Sequence, residues 1–242
     1  MRLVDLHDHV LWGIDDGCET PEQSLEAVRL LTSLGYAELA PSPHALVELP
    51  SGDPALCEER LRDLAALLER EGVEVTLHAN AENKLDEGFL ARVGDPATRR
   101  GIGPSGRWAL VEAPFQAHLP ALPDLVFRLR RQGVLPLFAH PERCLEFERP
   151  GRAREVVRLG GALQLNIGAL AGLYGRQARR QAERFLGEGL YAVAATDLHL
   201  PQEARRWLEA GLRGLEREVG VEGLRTLCGE NPARIARGEE LS

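Results

Sequence analysis

Five histidines, His7, His9, His44, His140 and His199, stand beside carboxylates in the chain. His7 and His9 flank one residue in Asp5-Leu6-His7-Asp8-His9. Side chains two apart on a strand point the same way, so both imidazoles reach one ion. Asp15-Asp16-Gly17 comes next, then Pro43-His44, Ala81-Glu82, Val111-Glu112, Ala139-His140-Pro141-Glu142-Arg143 and Asp197-Leu198-His199. Any one of these residues alone reads as a solvated surface group; the set does not. Mixed imidazole and carboxylate donors suit Mn, Fe or Zn, with availability deciding among them. The chemistry they imply is metal-assisted hydrolysis, because a metal-bound water gives hydroxide near neutral pH.

Such donors need elements that end at one place. Short apolar runs predict seven strands, over 3–7, 36–40, 73–79, 108–112, 134–139, 162–166 and 191–196. Most are apolar on both faces, as in a parallel sheet covered by helices. Helices are predicted between them. Thr20-Pro21-Glu22-Gln23 is a capping box with Pro at the first helical position, and Gly35 is the stop. Further helices are predicted over 53–72, 119–132, 151–158, 176–186 and 201–219, with a short one after Asn231-Pro232. Seven β/α units suit a closed or nearly closed barrel, with an open doubly wound sheet as the alternative. No G-x-G-x-x-G follows the first strand, so a dinucleotide fold lacks support. In a barrel the donors all fall at the C-terminal rim, where active sites form.

These motifs, from Leu3 to Glu230-Asn231-Pro232, resemble the PHP (polymerase and histidinol phosphatase) superfamily. The D-x-H-x-H opening is general to it. The D-D-G, A-H-P-E-R and E-N-P segments are most similar to its bacterial metal-dependent protein-tyrosine phosphatases of capsule and exopolysaccharide clusters. The resemblance implies an α/β fold, a distorted TIM-like (β/α)7 barrel, as a single domain over residues 1–242. It also implies three divalent metal ions. His7, His9, Glu82 and Asp197 would hold the first. Glu82 would bridge to the second, completed by Glu112 and His140. Asp16, His44 and His199 would hold the third. With roughly +6 from the metals against about −4 from carboxylates, the pocket would keep about +2, attractive to a phosphate dianion. Arg143 is expected to grip phosphate through its planar fork. Arg205 or Arg206 is expected as a second clamp. The implied substrate is phosphotyrosine of a protein tail, or a small phosphoester.

Departures from the family pattern bear on substrate. Ala45-Leu46-Val47-Glu48-Leu49-Pro50 replaces a segment that often carries basic and aromatic residues. Cys144 stands where tyrosine is usual, and Asn83 replaces an apolar residue. Three alternatives compete. One is another PHP phosphoesterase, such as a histidinol-phosphate phosphatase. A second is an amidohydrolase, for which Lys84, the only lysine, would have to be the carboxylated bridge. The third is a non-catalytic metal-binding interaction module. Cys228 and Arg234 have the C-x5-R spacing of thiol phosphatases, but Glu230 and Pro232 spoil a phosphate-cradling loop. His78 and His118 match no ligand position and are read as packing or surface groups.

Composition narrows the field further. A net charge of −8 argues against a nucleic-acid binder. No apolar run is long enough to insert in a membrane, and the first residues lack a signal-peptide core. Four cysteines without a C-x-x-C pair fit free thiols in a reducing compartment. A cytoplasmic protein is expected; the pattern specifies no oligomeric state.

Overall fold

A computed structural model describes residues 1–95 and 98–241 of the chain. The strands are β1 Leu3–Asp5, β2 Tyr36–Leu39, β3 Thr76–Leu77, β4 Glu82–Lys84, β5 Trp108–Glu112, β6 Leu135–Ala139, β7 Ala162–Asn166 and β8 Tyr191–Ala195. The helices are α1 Pro21–Ser33, α2 Pro54–Arg70, α3 Glu87–Arg92, α4 Leu122–Arg131, α5 Arg152–Arg158, α6 Ile167–Leu170, α7 Gly175–Gly187, α8 Ala204–Arg225 and α9 Asn231–Ala236. All strand pairs are parallel, in two sheets ordered β1-β2-β3 and β4-β5-β6-β7-β8.

The structure departs from the seven expected strands in two ways. Among the described residues there are eight strands, and they form no continuous closed ladder. The stretch expected as a strand over 73–79 pairs only at Thr76–Leu77. Glu82 then starts a strand of its own, which the polar Glu-Asn-Lys sequence disguises. The two sheets meet through isolated parallel bridges, Asp8 with Leu198 and His44 with Glu82. At the first seam Asp197 N–H donates to the His7 carbonyl at 2.7 Å and His9 N–H to the Leu198 carbonyl at 2.8 Å. At the second, Ala45 N–H donates to the Glu82 carbonyl at 2.8 Å. The seams therefore run through the residues singled out for chemistry.

Strand apolarity follows from two cores. Val4, Leu110, Leu137 and Val193 pack on one face with Ile235 and Ala236 of α9. Their neighbours Leu3, Val111, Phe138 and Ala194 face the helices. Alternation with both sides buried gives continuous apolar runs. Fully burying each such leucine or phenylalanine is worth about 1.5–3 kcal/mol.

The helix signals act locally as expected. Thr20 accepts a hydrogen bond from Gln23 N–H at 3.3 Å, and Gln23 Oε1 accepts from Glu19 N–H at 2.7 Å. Asp53 caps α2 through Ala55 N–H at 2.9 Å. The helix expected over 201–219 begins at Ala204, and a kink at Gly220 separates it from a second helical stretch that runs to Arg225. Gly220 stands at φ 72°, which a residue without a Cβ adopts at little cost. Two short helices escaped the pattern: α3, capped by Asp86 on Phe89 N–H, and α6, capped by Asn166 on Gly168 N–H.

Candidate metal centre

The first strand delivers its pair as the alternation requires. His7 and His9 point to one side, their Nε2 atoms 3.3 Å apart. Asp8 between them points elsewhere, fully buried, and burial pushes its carboxyl well up. Across the first seam Asp197 Oδ1 lies 3.3 Å from His7 Nε2 and 3.5 Å from His9 Nε2. From the second seam Glu82 Oε2 lies 3.4 Å and 3.6 Å from the same two atoms. Four donors around one ion at ~2.1 Å would stand about 3.4 Å apart. The His7, His9 and Glu82 donors thus stand close enough to share one ion, and His7, His140 and Asp197 form a second close group.

Glu82 also faces the other way. Its Oε1 is 3.0 Å from His140 Nε2, and Glu112 Oε1 is 3.8 Å from that nitrogen. The third set is looser. Asp16 Oδ1 is 3.4 Å from both His44 Nε2 and His199 Nε2. His44 stands between sets, because its Nδ1 lies 3.0 Å from Glu82 Oε2. All nine expected donors fall in four overlapping groups whose donor atoms lie within 4.8 Å of one another. Asp16, with its side chain 64% exposed, is the outermost.

The backbone is strained where the donors are aimed. His140 (φ 31°) and Asp197 (φ 55°) follow β6 and β8 in the left-handed region. Such a conformation costs of order 1–3 kcal/mol and persists when the surroundings enforce it. Gly17 of the Asp-Asp-Gly turn has its own reason. A Cβ there would run into the His9 carbonyl.

A polar layer behind the donors sets their orientation. Gln164 Oε1 accepts from His7 Nδ1 at 2.9 Å, and Asp15 Oδ2 accepts from His9 Nδ1 at 2.7 Å. Both partners fix the tautomer and leave Nε2 free to ligate. Asp15 also accepts from the Gly17 and His44 N–H groups. Asn166 Nδ2 and Arg143 Nη1 donate to Asp197 Oδ2 at 2.8 Å and 3.0 Å, leaving Oδ1 to the histidines. Sequence reasoning assigned no role to Gln164 or Asn166. The available signal was two amides at alternate positions in a strand otherwise read as apolar.

The site's electrostatics call for cations. Burial alone would push His7 down, but Glu82 and Asp197 hold it up to about 9. His44, opposed likewise by burial, is held up to about 10 by Asp16 and Glu82. Glu82 resists the upward push of burial and is held well below the usual range by His7, His140 and His44. Burial and the neighbouring Glu82 push Glu112 up.

The remaining expectations divide. Arg143 lies at the donor set through Asp197. Arg205 does not. Its guanidinium donates to Ser33 Oγ at 2.9 Å and pairs with Glu209 at 3.5 Å, because α8 turns it toward α1. Lys84 is exposed on β4. Cys228 is buried, and burial raises its thiol, while Arg234 pairs with Glu239, so the C-x5-R spacing forms no phosphate loop. His78 pairs with Glu38 and His118 with Glu146.

Parallel strands whose ends bring these donors together define an α/β protein with a candidate polynuclear metal site. The chain belongs to the CpsB/CapC family of capsular polysaccharide synthesis, whose model matches residues 3–237. It is 27% identical to the tyrosine-protein phosphatase YwqE of Bacillus subtilis (strain 168), over 99% of this chain and 93% of that one. It is 22% identical to the tyrosine-protein phosphatase CpsB of Streptococcus pneumoniae, over 96% and 98%. A crystal structure from work on YwqE and CpsB, described as metal-dependent tyrosine phosphatases, superposes with a TM-score of 0.89 at 26% identity, covering 99% of this chain and 96% of the other.

Proposed function

We propose that the chain is a metal-dependent phosphomonoester hydrolase acting on phosphotyrosine of a protein tail, in capsule or exopolysaccharide synthesis. The carrying observation is Glu82, whose two oxygens face two different histidine sets at 3.4 Å and 3.0 Å. A carboxylate so placed could serve both sets, one oxygen to each.

In this reading three divalent ions, Mn, Fe or Zn, would be shared among the nine donors. His7, His9, Glu82 and Asp197 take one, Glu82, Glu112 and His140 the second, and Asp16, His44 and His199 the third. Divalent ions held there would supply hydroxide near neutral pH and neutralise charge on the phosphoryl oxygens. Gln164 and Asp15 keep the Nε2 lone pairs of His7 and His9 aimed inward. Arg143, beside Asp197, offers its fork to the phosphoryl group.

The bridges Asp8–Leu198 and His44–Glu82 support reading the two sheets as a distorted barrel of the PHP type, one domain over residues 1–242. Among the described residues no helix is long and apolar enough to cross a membrane.

The test is metal analysis paired with hydrolysis of p-nitrophenyl phosphate. Bound divalent metal with chelator-sensitive turnover is expected. Metal-loaded protein without turnover would leave a binding module.

A further inference from the structure

The Arg143 side chain is long and flexible, yet its surroundings are fixed on several sides. It leaves the short 3-10 turn Pro141–Arg143 directly after His140. Its guanidinium carbon lies 4.1 Å from the Tyr174 ring centroid and 4.6 Å from that of Phe115. Cation–π contact favours both positions. The Phe115 ring in turn lies 5.3 Å from the His140 ring.

Tyr174 is itself tied to the donor set. Asn166 Nδ2 donates to the Tyr174 hydroxyl at 2.9 Å and to Asp197 Oδ2 at 2.8 Å. Asn166 Oδ1 accepts from Gly168 N–H at 2.8 Å, which sets the direction of the amide. A Cβ on Gly168 would stand 3.2 Å from the Tyr174 ring, so the small residue leaves the ring its place. Arg143, Asp197, Asn166 and Tyr174 therefore close a ring of contacts, three of them hydrogen bonds and the fourth a stacked guanidinium.

We infer that Tyr174, tethered by Asn166, is the positioning residue that aims Arg143 at the phosphoryl group. This rests on the phosphate-binding role proposed for Arg143. The effect of Tyr174 passes through the guanidinium. Holding that group in one place removes the entropy loss that binding would otherwise impose on a free arginine. The tether through Asn166 also couples the aim of Arg143 to the carboxylate presented to His7 and His9.

The experiment is a mutant cycle on Mn-loaded protein, using Tyr174→Ala, Tyr174→Phe, Arg143→Ala and the Tyr174→Ala/Arg143→Ala double variant. It reads bound metal, the Kd for inorganic phosphate, and kcat and KM for p-nitrophenyl phosphate. Arg143→Ala and Tyr174→Ala should each weaken phosphate binding and lower kcat/KM by about tenfold, with metal content unchanged. The double variant should be no worse than Arg143→Ala, because one residue acts through the other. Tyr174→Phe keeps the ring but loses the tether to Asn166, so it should recover only part of the loss. Additive losses, wild-type phosphate binding in Tyr174→Ala, or metal loss in that variant would overturn the inference. Wild-type protein that binds metal and phosphate but hydrolyses no ester would instead overturn the hydrolase reading, and phosphate binding would still report on Tyr174.

Discussion

Glu82 and His140, 58 residues apart in sequence, meet inside the fold at 3.0 Å between Oε1 and Nε2. Glu82 is buried to 2% exposure and His140 to 1%. A lone buried carboxylate is costly, and here histidines or the cations they bind compensate it. Glu82→Ala should therefore lower metal content by at least one ion per chain and reduce kcat. Elemental analysis of purified protein checks it. Full metal content with normal kcat would mean that the donors are wrongly grouped.

The groups behind the histidines should matter nearly as much. Gln164→Leu removes the acceptor for His7 Nδ1 and leaves the ring free to take the wrong tautomer. Metal affinity should fall by roughly 10–100-fold while the fold persists. Competition with a chromogenic chelator measures this, and unchanged affinity would make Gln164 a packing residue only.

Protons occupy the place of metal charge in the metal-free protein. His7 is held up to about 9 and His44 up to about 10, both above the ordinary 6.5. Both rings are then protonated at pH 7, and a ligating imidazole must be neutral. Metal binding at pH 7 should release protons, seen as a dependence of calorimetric heat on buffer ionisation enthalpy. Apparent metal affinity should rise with pH toward 9. The stability sign is opposite for metal-free protein. Raised folded values stabilise fully below about 6.5, and that stability is lost as pH rises through 9. Melts of chelated protein at pH 6 and pH 9 check it; a higher Tm at pH 9 would contradict the assignment.

Much of this was readable from residue type and spacing. The strands β5 to β8 lie within a residue or so of their apolar runs, because both faces are buried. Eight of the nine donors stand at or beyond strand ends, where alternation and turn residues mark them, while Glu82 opens β4. Other parts were hidden. β4 is spelled Glu-Asn-Lys, and its pairing comes from the β5 backbone rather than from its own apolar pattern. Gln164 and Asn166 gain their roles only when β7 is set beside β1 and β8. Arg205 looked near His199 in sequence, yet the helix beginning at Ala204 turns it toward Ser33.

Substrate preference follows from the rim. Phe115 is 38% exposed beside Arg143, and Val47 is 91% exposed past His44. Apolar surface near the site, with phenoxide as the better leaving group, predicts faster hydrolysis of phosphotyrosine than of phosphoserine. Glu48 should hold the further gain from an acidic tyrosine-rich peptide to a modest factor. The comparison is kcat/KM across phosphotyrosine, that peptide, phosphoserine and histidinol phosphate. A preference for histidinol phosphate would replace the tyrosine assignment.

The most direct measurement of the central claim is phosphotyrosine hydrolysis before and after thorough chelation, followed by addition of Mn2+. Activity should vanish with the metal and return with it, in proportion to the ions bound per chain. Full activity in protein shown to be free of metal would contradict the account.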